Sequence, residues 1–321
     1  MHLPDGLLDA KTALLSTGAA AAGLGVALRR VRTLLEPRQT PMLGLAAAFV
    51  FAAQMVNFPV AHGTSGHLVG GVLLSILLGP SAAVIVMTCV LLVQCLMFAD
   101  GGLTALGANM FNMAIASGCG GYLVFRLLKN LVRMDPTRGI IFAAAFAGWF
   151  GTVLGSISCA GQLAMSGIVP WSIAFPAMAG VHMLIGIGEG LATGLVVMAV
   201  LRARPQMLES TGEAGIAWRG FLAYGLLLCF GLAVFVAPFA CSWPDGLETV
   251  ARALGFEGHA TAPALQGPLA DYRVPWLGSP TLATAVAGVI GLVLAFVAAY
   301  LLARTLAPVL SNSKKDASSG H

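Results

Sequence analysis

The sequence predicts an all-α membrane protein, folded as a polytopic helical bundle of about nine transmembrane helices. The 321 residues are 58% hydrophobic and only 9% charged, whereas soluble domains carry roughly 25% charged residues. No soluble core could bury that much apolar surface. The apolar residues form long continuous runs rather than the alternation typical of a transmembrane barrel. The membrane spans are therefore expected to be helices.

Nine apolar runs define the predicted helices. They lie at roughly 12–28, 41–58, 67–80, 81–98, 104–125, 139–165, 175–201, 220–241 and 280–303. The third and fourth runs meet at Gly79-Pro80. Both are short for the ~20 residues that a helix needs to cross a bilayer. These two runs therefore support separate membrane-spanning helices less strongly than the other seven runs do.

The distribution of positive charge predicts the orientation of the bundle. Fourteen of the 17 Lys and Arg residues follow the first, fifth, seventh and ninth runs, which places them on one side. Because cytoplasmic loops are enriched in Lys and Arg, we expect the amino terminus outside and the carboxyl terminus in the cytoplasm. A secretory signal carries its positive charge before the apolar run. Here the charge follows, so the first run is interpreted as an uncleaved helix.

A polar stretch, ARPQMLESTGEAGI, divides the chain into two predicted modules. Residues 1–202 form a seven-helix module, and residues 203–219 a cytoplasmic linker. A two-helix module follows at 220–305, with an outer loop at 242–279. The polar tail at 306–321 is expected to be disordered.

Ionisable side chains are rare in and beside the apolar runs, where they usually have a functional reason. The candidates are His2, His62, His67, His182 and Glu189, with Gln54 and Asn57 as polar neighbours. The six cysteines show no CxxC spacing and are interpreted as small packing residues.

The first two residues, Met1 and His2, can form a chelate. The amino group of Met1, the backbone nitrogen of His2 and the His2 Nδ1 atom are spaced to close fused five- and six-membered rings around one ion. Such rings favour a planar nitrogen set, which is typical of Ni(II) or Cu(II) rather than tetrahedral Zn(II). The alternative is that His2 is an ordinary residue at a mobile chain end.

The stretch NFPVAHGTSGHLVGG, residues 57–71, interrupts the apolar pattern on the side of Met1. Pro59, Gly63 and Gly66 predict a loop. If the stretch were helical, His62 and His67 would lie about 140° apart, on different faces. One histidine ligand is therefore favoured over two, although a purely structural role stays open for each.

The stretch GVHMLIGIGEGLATG places His182 and Glu189 seven residues apart, on one helix face and about 10 Å apart along the axis. A buried glutamate must be paired, hydrogen-bonded or protonated. Glu189 is thus either a structural anchor or a coupling element. A proton-coupled secondary transporter using these two residues is an alternative function. Seven plus two helices show no clear inverted repeat, however, and no spacing of nucleophile and base indicates an enzyme.

Several of these stretches resemble a known family. The stretches MHLPDGLLD, NFPVAHGTSGHLVGG and HMLIGIGEGLATG resemble the substrate-capture membrane subunit of nickel and cobalt uptake transporters of the energy-coupling-factor (ECF) class. PDGLE, residues 244–248, resembles the small accessory subunit of the same systems. The two subunits are expected to be fused in this chain.

The resemblance implies a ligand set and a transported substrate. Ni(II) or Co(II) is expected to bind near the outer surface through Met1, His2 and His67, whereas His62 is not a ligand in this pattern. Asn57 and Ser65 are expected to orient the imidazoles through hydrogen bonds. Nickel is favoured over cobalt by analogy with fused relatives, and no bound organic cofactor is expected.

The resemblance also implies partners and a location. The expected partners are a transmembrane coupling subunit and cytoplasmic ATPase subunits, in a multi-pass protein of the cell inner membrane. The sequence contains no G-x-x-x-x-G-K-[ST] phosphate loop, so ATP hydrolysis is expected in the ATPase subunits and not in this chain. Lipids are expected around the helices, and no nucleic acid.

Overall fold

A computed structural model describes residues 2–61, 63–132, 134–203 and 217–307. Across these ranges the protein is a bundle of helices with one short two-stranded sheet. Seven helical runs are long and apolar enough to cross a membrane, and the 15-residue helix Thr40–Gln54 is an eighth, shorter apolar helix. The predicted class, an all-α polytopic membrane protein, is therefore confirmed.

The elements follow one another in a simple order. The helices are α1 (Ala10–Leu34), α2 (Thr40–Gln54), α3 (Gly71–Leu78), α4 (Pro80–Phe98), α5 (Leu106–Met110), α6 (Gly120–Leu131), α7 (Pro136–Met165), α8 (Trp171–Ala203), α9 (Ala217–Gly231), α10 (Gly246–Leu254) and α11 (Pro280–Leu306). A π-helical segment, Phe111–Cys119, joins α5 to α6. Strands β1 (Phe58–Ala61) and β2 (Thr64–Gly66) pair antiparallel between α2 and α3.

Side-chain caps start several helices where the sequence places Asp. Asp9 accepts a hydrogen bond from the Thr12 amide at the start of α1. Asp245 and Glu248 form a capping box that starts α10, and Gly255 ends that helix with a φ of 76°. These contacts satisfy backbone groups that a helix end leaves unpaired. A short helix therefore begins directly after Asp245, within the outer loop.

The third predicted span differs from expectation, because α3 has only eight residues. A helix of that length rises about 12 Å, less than half of the hydrocarbon thickness. The chain between α2 and α4 therefore combines the irregular segment 67–70 with α3, and the apolar run at 67–80 is not one continuous helix. Irregular backbone is tolerated at membrane depth only where protein groups satisfy it.

Contacts between loops show which helix ends lie together. The Asp9 amide, before α1, donates to the Ser166 hydroxyl between α7 and α8. The Gly102 amide, after α4, donates to the Leu3 carbonyl. These ends form what we call the His2 end of the bundle. Arg32, Lys129 and Arg202, in the last turns of α1, α6 and α8, lie at the opposite ends of those helices, as the predicted orientation requires.

The two modules pack against each other through α2 and α11. Phe51 of α2 and Leu292 of α11 belong to one continuous hydrophobic cluster. Gly291 lets α11 approach α2 closely, because a Cβ atom at that position would overlap the Phe51 ring. Small residues at such contacts let membrane helices pack closely. The proposed module boundaries at 202 and 220 fall beside residues 204–216, which lie outside the described ranges.

Candidate metal site

The fold brings His2 and His67 together at the His2 end. The two imidazole rings stack with centroids 5.3 Å apart and an interplanar angle of 21°. Both side chains are buried: that of His2 is 8% exposed, and His67 is 8% exposed. Two residues that are 65 positions apart thus form one imidazole pair. Met1 and His62 lie outside the described residues.

Asn109 holds the chain beside His2 in place. Its side-chain oxygen accepts from the Leu3 amide at 2.8 Å, and its side-chain nitrogen donates to the Leu3 carbonyl at 3.1 Å. Leu3 itself is fully buried. The amide side chain therefore acts as a strand partner for the terminal segment. Sequence reasoning missed Asn109, although a buried amide at the start of an apolar helix is a recognisable signal.

A chain of hydrogen bonds links His2 to the loop that carries His67. The Nε2 atom of His2 lies 3.2 Å from Oε1 of Gln94. Gln94 donates to Oε1 of Gln54 at 2.7 Å, and Gln54 donates to the Val69 carbonyl at 2.8 Å. Both glutamines are buried within apolar helices. They couple the orientation of the His2 ring to the backbone two residues after His67. Sequence reasoning named Gln54 only as a neighbour and missed Gln94.

The surroundings of His67 define which of its ring nitrogens is suited to a metal. Its Nδ1 atom lies 3.0 Å from the Leu68 carbonyl. A proton on Nδ1 would be donated to that carbonyl, and the lone pair would then lie on Nε2. Burial lowers the pKa of His67 to about 3 and also lowers that of His2. Both imidazoles are therefore neutral near pH 7, which is the form that binds metals.

Glu189 anchors the backbone immediately after His67. Its two carboxylate oxygens accept from the Val69 amide at 2.6 Å and the Gly70 amide at 2.9 Å. Glu189 is 1% exposed. The two amides belong to the irregular segment before α3, where an unpaired N–H would cost several kcal/mol in hydrocarbon. The anchor role considered for Glu189 thus has a direct geometric basis, whereas a coupling role stays a prediction.

His182 lies near His67 but is not bonded to Glu189. Its Nδ1 atom lies 2.8 Å from the Met178 carbonyl in its own helix. It lines a small cavity together with His67, Asp245 and Gly246. A Cβ atom at Gly246 would lie 2.9 Å from the His182 Nε2 atom. The fused module therefore packs directly on this part of the site.

The two predicted orienting residues, Asn57 and Ser65, both connect to the fused module. The Ser65 hydroxyl donates to the Trp243 carbonyl at 2.7 Å, and its amide donates to the Pro244 carbonyl at 2.8 Å. The Asn57 carbonyl accepts from the Cys241 amide at 2.9 Å. The polar contacts of both residues thus join the His67 loop to the 241–244 segment. Their role in orienting imidazoles stays a prediction.

A cavity of about 650 Å³ opens beside the two imidazoles. Its lining includes His2, His67, Asp100, Asp245 and Tyr272, so carboxylates from both modules face it. Burial by itself raises the pKa of Asp245. Its charged and hydrogen-bonding neighbours, the Glu248 amide among them, outweigh burial and hold that pKa well below the usual value. Asp245 is therefore charged and favours a cation in this region.

Side chains alone do not complete a metal site in the part of the chain that the structure describes. No group of three or more His, Cys, Asp or Glu side chains among these residues forms a ready-made ion site in the ion-free structure. Two neutral imidazoles stand next to the backbone of the first residues instead. The donor set fits a borderline transition metal bound through imidazole and backbone nitrogens.

The fold and site together define a polytopic membrane protein that presents two buried imidazoles at one end of its bundle. Family comparisons identify this class. Residues 2–207 match the family described as the cobalt uptake substrate-specific transmembrane region, CbiM, and residues 219–308 match the PDGLE domain. The chain belongs to this CbiM family, as a substrate-capture membrane component fused to a PDGLE domain.

Relatives that match the whole chain or about two thirds of it support the assignment. The chain is 38% identical over 307 residues to the "Putative fused nickel transport protein NikMN" of Archaeoglobus fulgidus, which covers 95% of this chain and 98% of that protein. It is 34% identical over 224 residues to the "Cobalt transport protein CbiM 2" of Pelobacter propionicus, covering 67% of this chain and 97% of that protein. A crystal structure described as a truncated transition metal transporter matches with a TM-score of 0.57 and 33% identity, over 63% of this chain and 99% of the other.

Proposed function

We propose that this chain is the substrate-binding membrane component of an ATP-driven ECF-type importer of nickel(II). The observation that carries the proposal is the stacked pair of His2 and His67, buried at the end of the bundle predicted to face outward. Transport of nickel or cobalt is the activity in the printed names of its relatives. The ion is the transported substrate.

The proposed chelate has four nitrogen ligands. Three come from the chain start: the Met1 amine, the His2 amide nitrogen and the His2 Nδ1 atom. The fourth is Nε2 of His67, the ring nitrogen that does not face the Leu68 carbonyl. Gln94 faces the His2 Nε2 atom, so metal binding at Nδ1 would leave that contact in place. A planar set of four nitrogens suits Ni(II).

The energy for transport is proposed to come from other chains. ATPase subunits would bind a transmembrane coupling subunit in the cytoplasmic membrane, and this chain would pass its ion on within that complex. A proton-coupled mechanism is the second candidate. It is less favoured, because both carboxylate oxygens of Glu189 are engaged with backbone amides of the His67 loop. Dependence of uptake on a coexpressed ATPase, rather than on a proton gradient, separates the two mechanisms.

Nickel is proposed over cobalt because of the fused architecture. A relative that matches over 95% of this chain carries nickel in its name, whereas two relatives named for cobalt match over 65% and 67% of it. The same nitrogen donors bind Co(II), with Ni(II) the tighter of the two in the general affinity order. Competition of unlabelled cobalt against labelled nickel in uptake is the test, and stronger binding of cobalt would make it the substrate.

Calorimetric titration of purified protein with Ni(II) tests the site. The protein with its native start is expected to bind one ion, and His2→Ala and His67→Ala are each expected to abolish saturable binding. His259→Ala is the matched control, because its side chain is exposed on the fused loop. Protein extended by a few residues upstream of Met1 should also lose binding. Unchanged affinity in both histidine variants would refute the proposed site.

A further inference from the structure

We propose that Asp100 contacts the transported ion through its Oδ1 atom, as an oxygen ligand beside the four nitrogens. Nothing in the family matches assigns this residue a role. The inference rests on the proposed function, since it needs an ion at His2. It also assigns a task to the fused module, because Tyr272 of that module holds the same carboxylate.

Asp100 lies close enough to His2 for both side chains to contact one ion. Oδ1 of Asp100 lies 3.3 Å from Nδ1 of His2, which is the nitrogen of the proposed chelate. Two donors that share a divalent first-row ion, with bonds of roughly 2.0–2.2 Å, are about 2.8–3.1 Å apart at a right angle. A separation of 3.3 Å would correspond to a somewhat wider angle, of about 97–111°. An ion bound to Nδ1 therefore has Asp100 within reach.

The charge of the proposed chelate also favours a carboxylate next to the ion. A divalent ion bound by one deprotonated amide, one neutral amine and two neutral imidazoles keeps a net positive charge. A buried positive charge is unfavourable without a nearby anion. The Asp100 side chain is 27% exposed, so it faces the cavity as well as the His2 ring. The Asp100 carboxylate can therefore compensate the positive charge of the bound ion. When no ion is bound, the carboxylate stays partly hydrated.

Tyr272 fixes the direction of the Asp100 carboxylate. Its hydroxyl donates to Oδ2 of Asp100 at 2.6 Å, which leaves Oδ1 on the side of His2. The Tyr272 ring stacks on Phe98, with centroids 4.7 Å apart. The Leu269 amide also donates to the Met97 carbonyl at 2.9 Å. The 269–272 segment of the fused module is therefore docked on the end of α4, directly beside Asp100.

The backbone around this contact is strained on both sides. Among the described residues, three non-glycine positions have positive φ: Ala99 at 54°, Asp271 at 55° and Tyr272 at 56°. All three adjoin the Asp100–Tyr272 hydrogen bond. Left-handed backbone at non-glycine residues is unfavourable and tends to occur at functional sites. We assign Tyr272 as a positioning residue that acts on the ion through Asp100.

Titration of the full-length protein with Ni(II), together with absorption spectra of the Co(II) form, tests the proposal. Asp100→Asn is expected to weaken Ni(II) binding at least tenfold and to change the d–d bands of bound Co(II). Tyr272→Phe, which keeps the stacked ring, is expected to weaken binding by about threefold. Because Tyr272 acts through Asp100, the double variant Asp100→Asn with Tyr272→Phe should bind Ni(II) no more weakly than Asp100→Asn alone. Asp100→Glu should restore part of the affinity.

The controls separate this proposal from the proposed function. Asp271→Asn removes a carboxylate from the same cavity lining and should change affinity less than twofold. Unchanged affinity in Asp100→Asn, or weaker binding with an unchanged Co(II) spectrum, would overturn the contact. If His2→Ala abolishes binding in the same series, the proposed function stands without Asp100. If His2→Ala binds normally, the proposed function itself fails.

Discussion

At the scale of single residues, a few polar side chains satisfy the backbone of the His67 loop. Glu189 accepts from the Val69 and Gly70 amides, and Gln54 donates to the Val69 carbonyl. Water cannot take these roles, because Val69 and Gly70 are buried. The position of His67 thus depends on side chains from two other helices.

Replacing Glu189 by Gln should destabilise this loop. The amide side chain can accept only through its oxygen, so one of the two loop amides loses its partner. An unsatisfied buried donor costs about 1–3 kcal/mol. Thermal unfolding in detergent is expected to show a lower Tm, with weaker Ni(II) binding. Glu257→Gln, at an exposed salt bridge with Arg252, should have little effect. Equal Tm values for the two variants would contradict the anchor role.

Replacing Asn109 by Ala should loosen the segment that carries His2. Two hydrogen bonds to Leu3 are lost, so more conformational entropy must be given up when the chelate forms. Ni(II) affinity is expected to fall by about tenfold, and protease cleavage within the first residues should become faster. Asn130→Ala, at an exposed position in α6, serves as the comparison. Slow cleavage and unchanged affinity in Asn109→Ala would show that the clamp is dispensable.

At the scale of elements, the contact between α2 and α11 joins the modules. Gly66 and Gly291 each lie at a contact between elements that is too close for a side chain. A Cβ atom at Gly66 would lie 2.5 Å from Ile185 of α8, and one at Gly291 would overlap Phe51 of α2. Glycine is required at both positions because the neighbouring element leaves no room for a side chain.

Gly291→Ala should therefore weaken the docking of the two-helix module. Overpacking of a close contact typically lowers the free energy of unfolding by about 1–3 kcal/mol. We therefore expect a lower Tm for Gly291→Ala. Gly231→Ala is the matched control. That glycine lies at the end of α9, and its Cβ atom would meet no neighbouring atom within 4 Å. A Tm unaffected by Gly291→Ala would show that α2 and α11 can shift apart without cost.

At the scale of the whole molecule, the fused module reaches both segments that carry imidazoles. The Thr261 amide donates to the Asp5 carbonyl at 2.9 Å, near His2, and the Ser65 amide donates to the Pro244 carbonyl near His67. The Ala264 amide donates to the Asp5 carboxylate at 2.9 Å. These contacts are made by the outer loop and not by the linker, so they hold the two segments against each other from one side.

Two separately expressed halves should consequently reassemble. If the chain is divided within residues 204–216, the membrane helices and outer-loop contacts that join the modules are all retained. The halves are expected to copurify from detergent and to bind Ni(II) as the intact chain does. Gly291→Ala in the second half should reduce copurification, whereas Gly231→Ala should not. Failure of the unmodified halves to associate would show that the linker is needed for docking.

The amino-acid sequence by itself determined the class and the order of the helices, and it singled out candidate metal-binding residues that stay a prediction. Apolar runs of sufficient length must become membrane helices, and His2, His67 and Glu189 are chemically conspicuous in such surroundings. The short α3 could not be predicted, since loop backbone at membrane depth depends on partners such as Glu189 and Gln54. Gln94, Asp100 and Tyr272 likewise have no distinctive local pattern. Only the tertiary structure brought them beside His2, because packing between helices distant in sequence decides which polar groups meet.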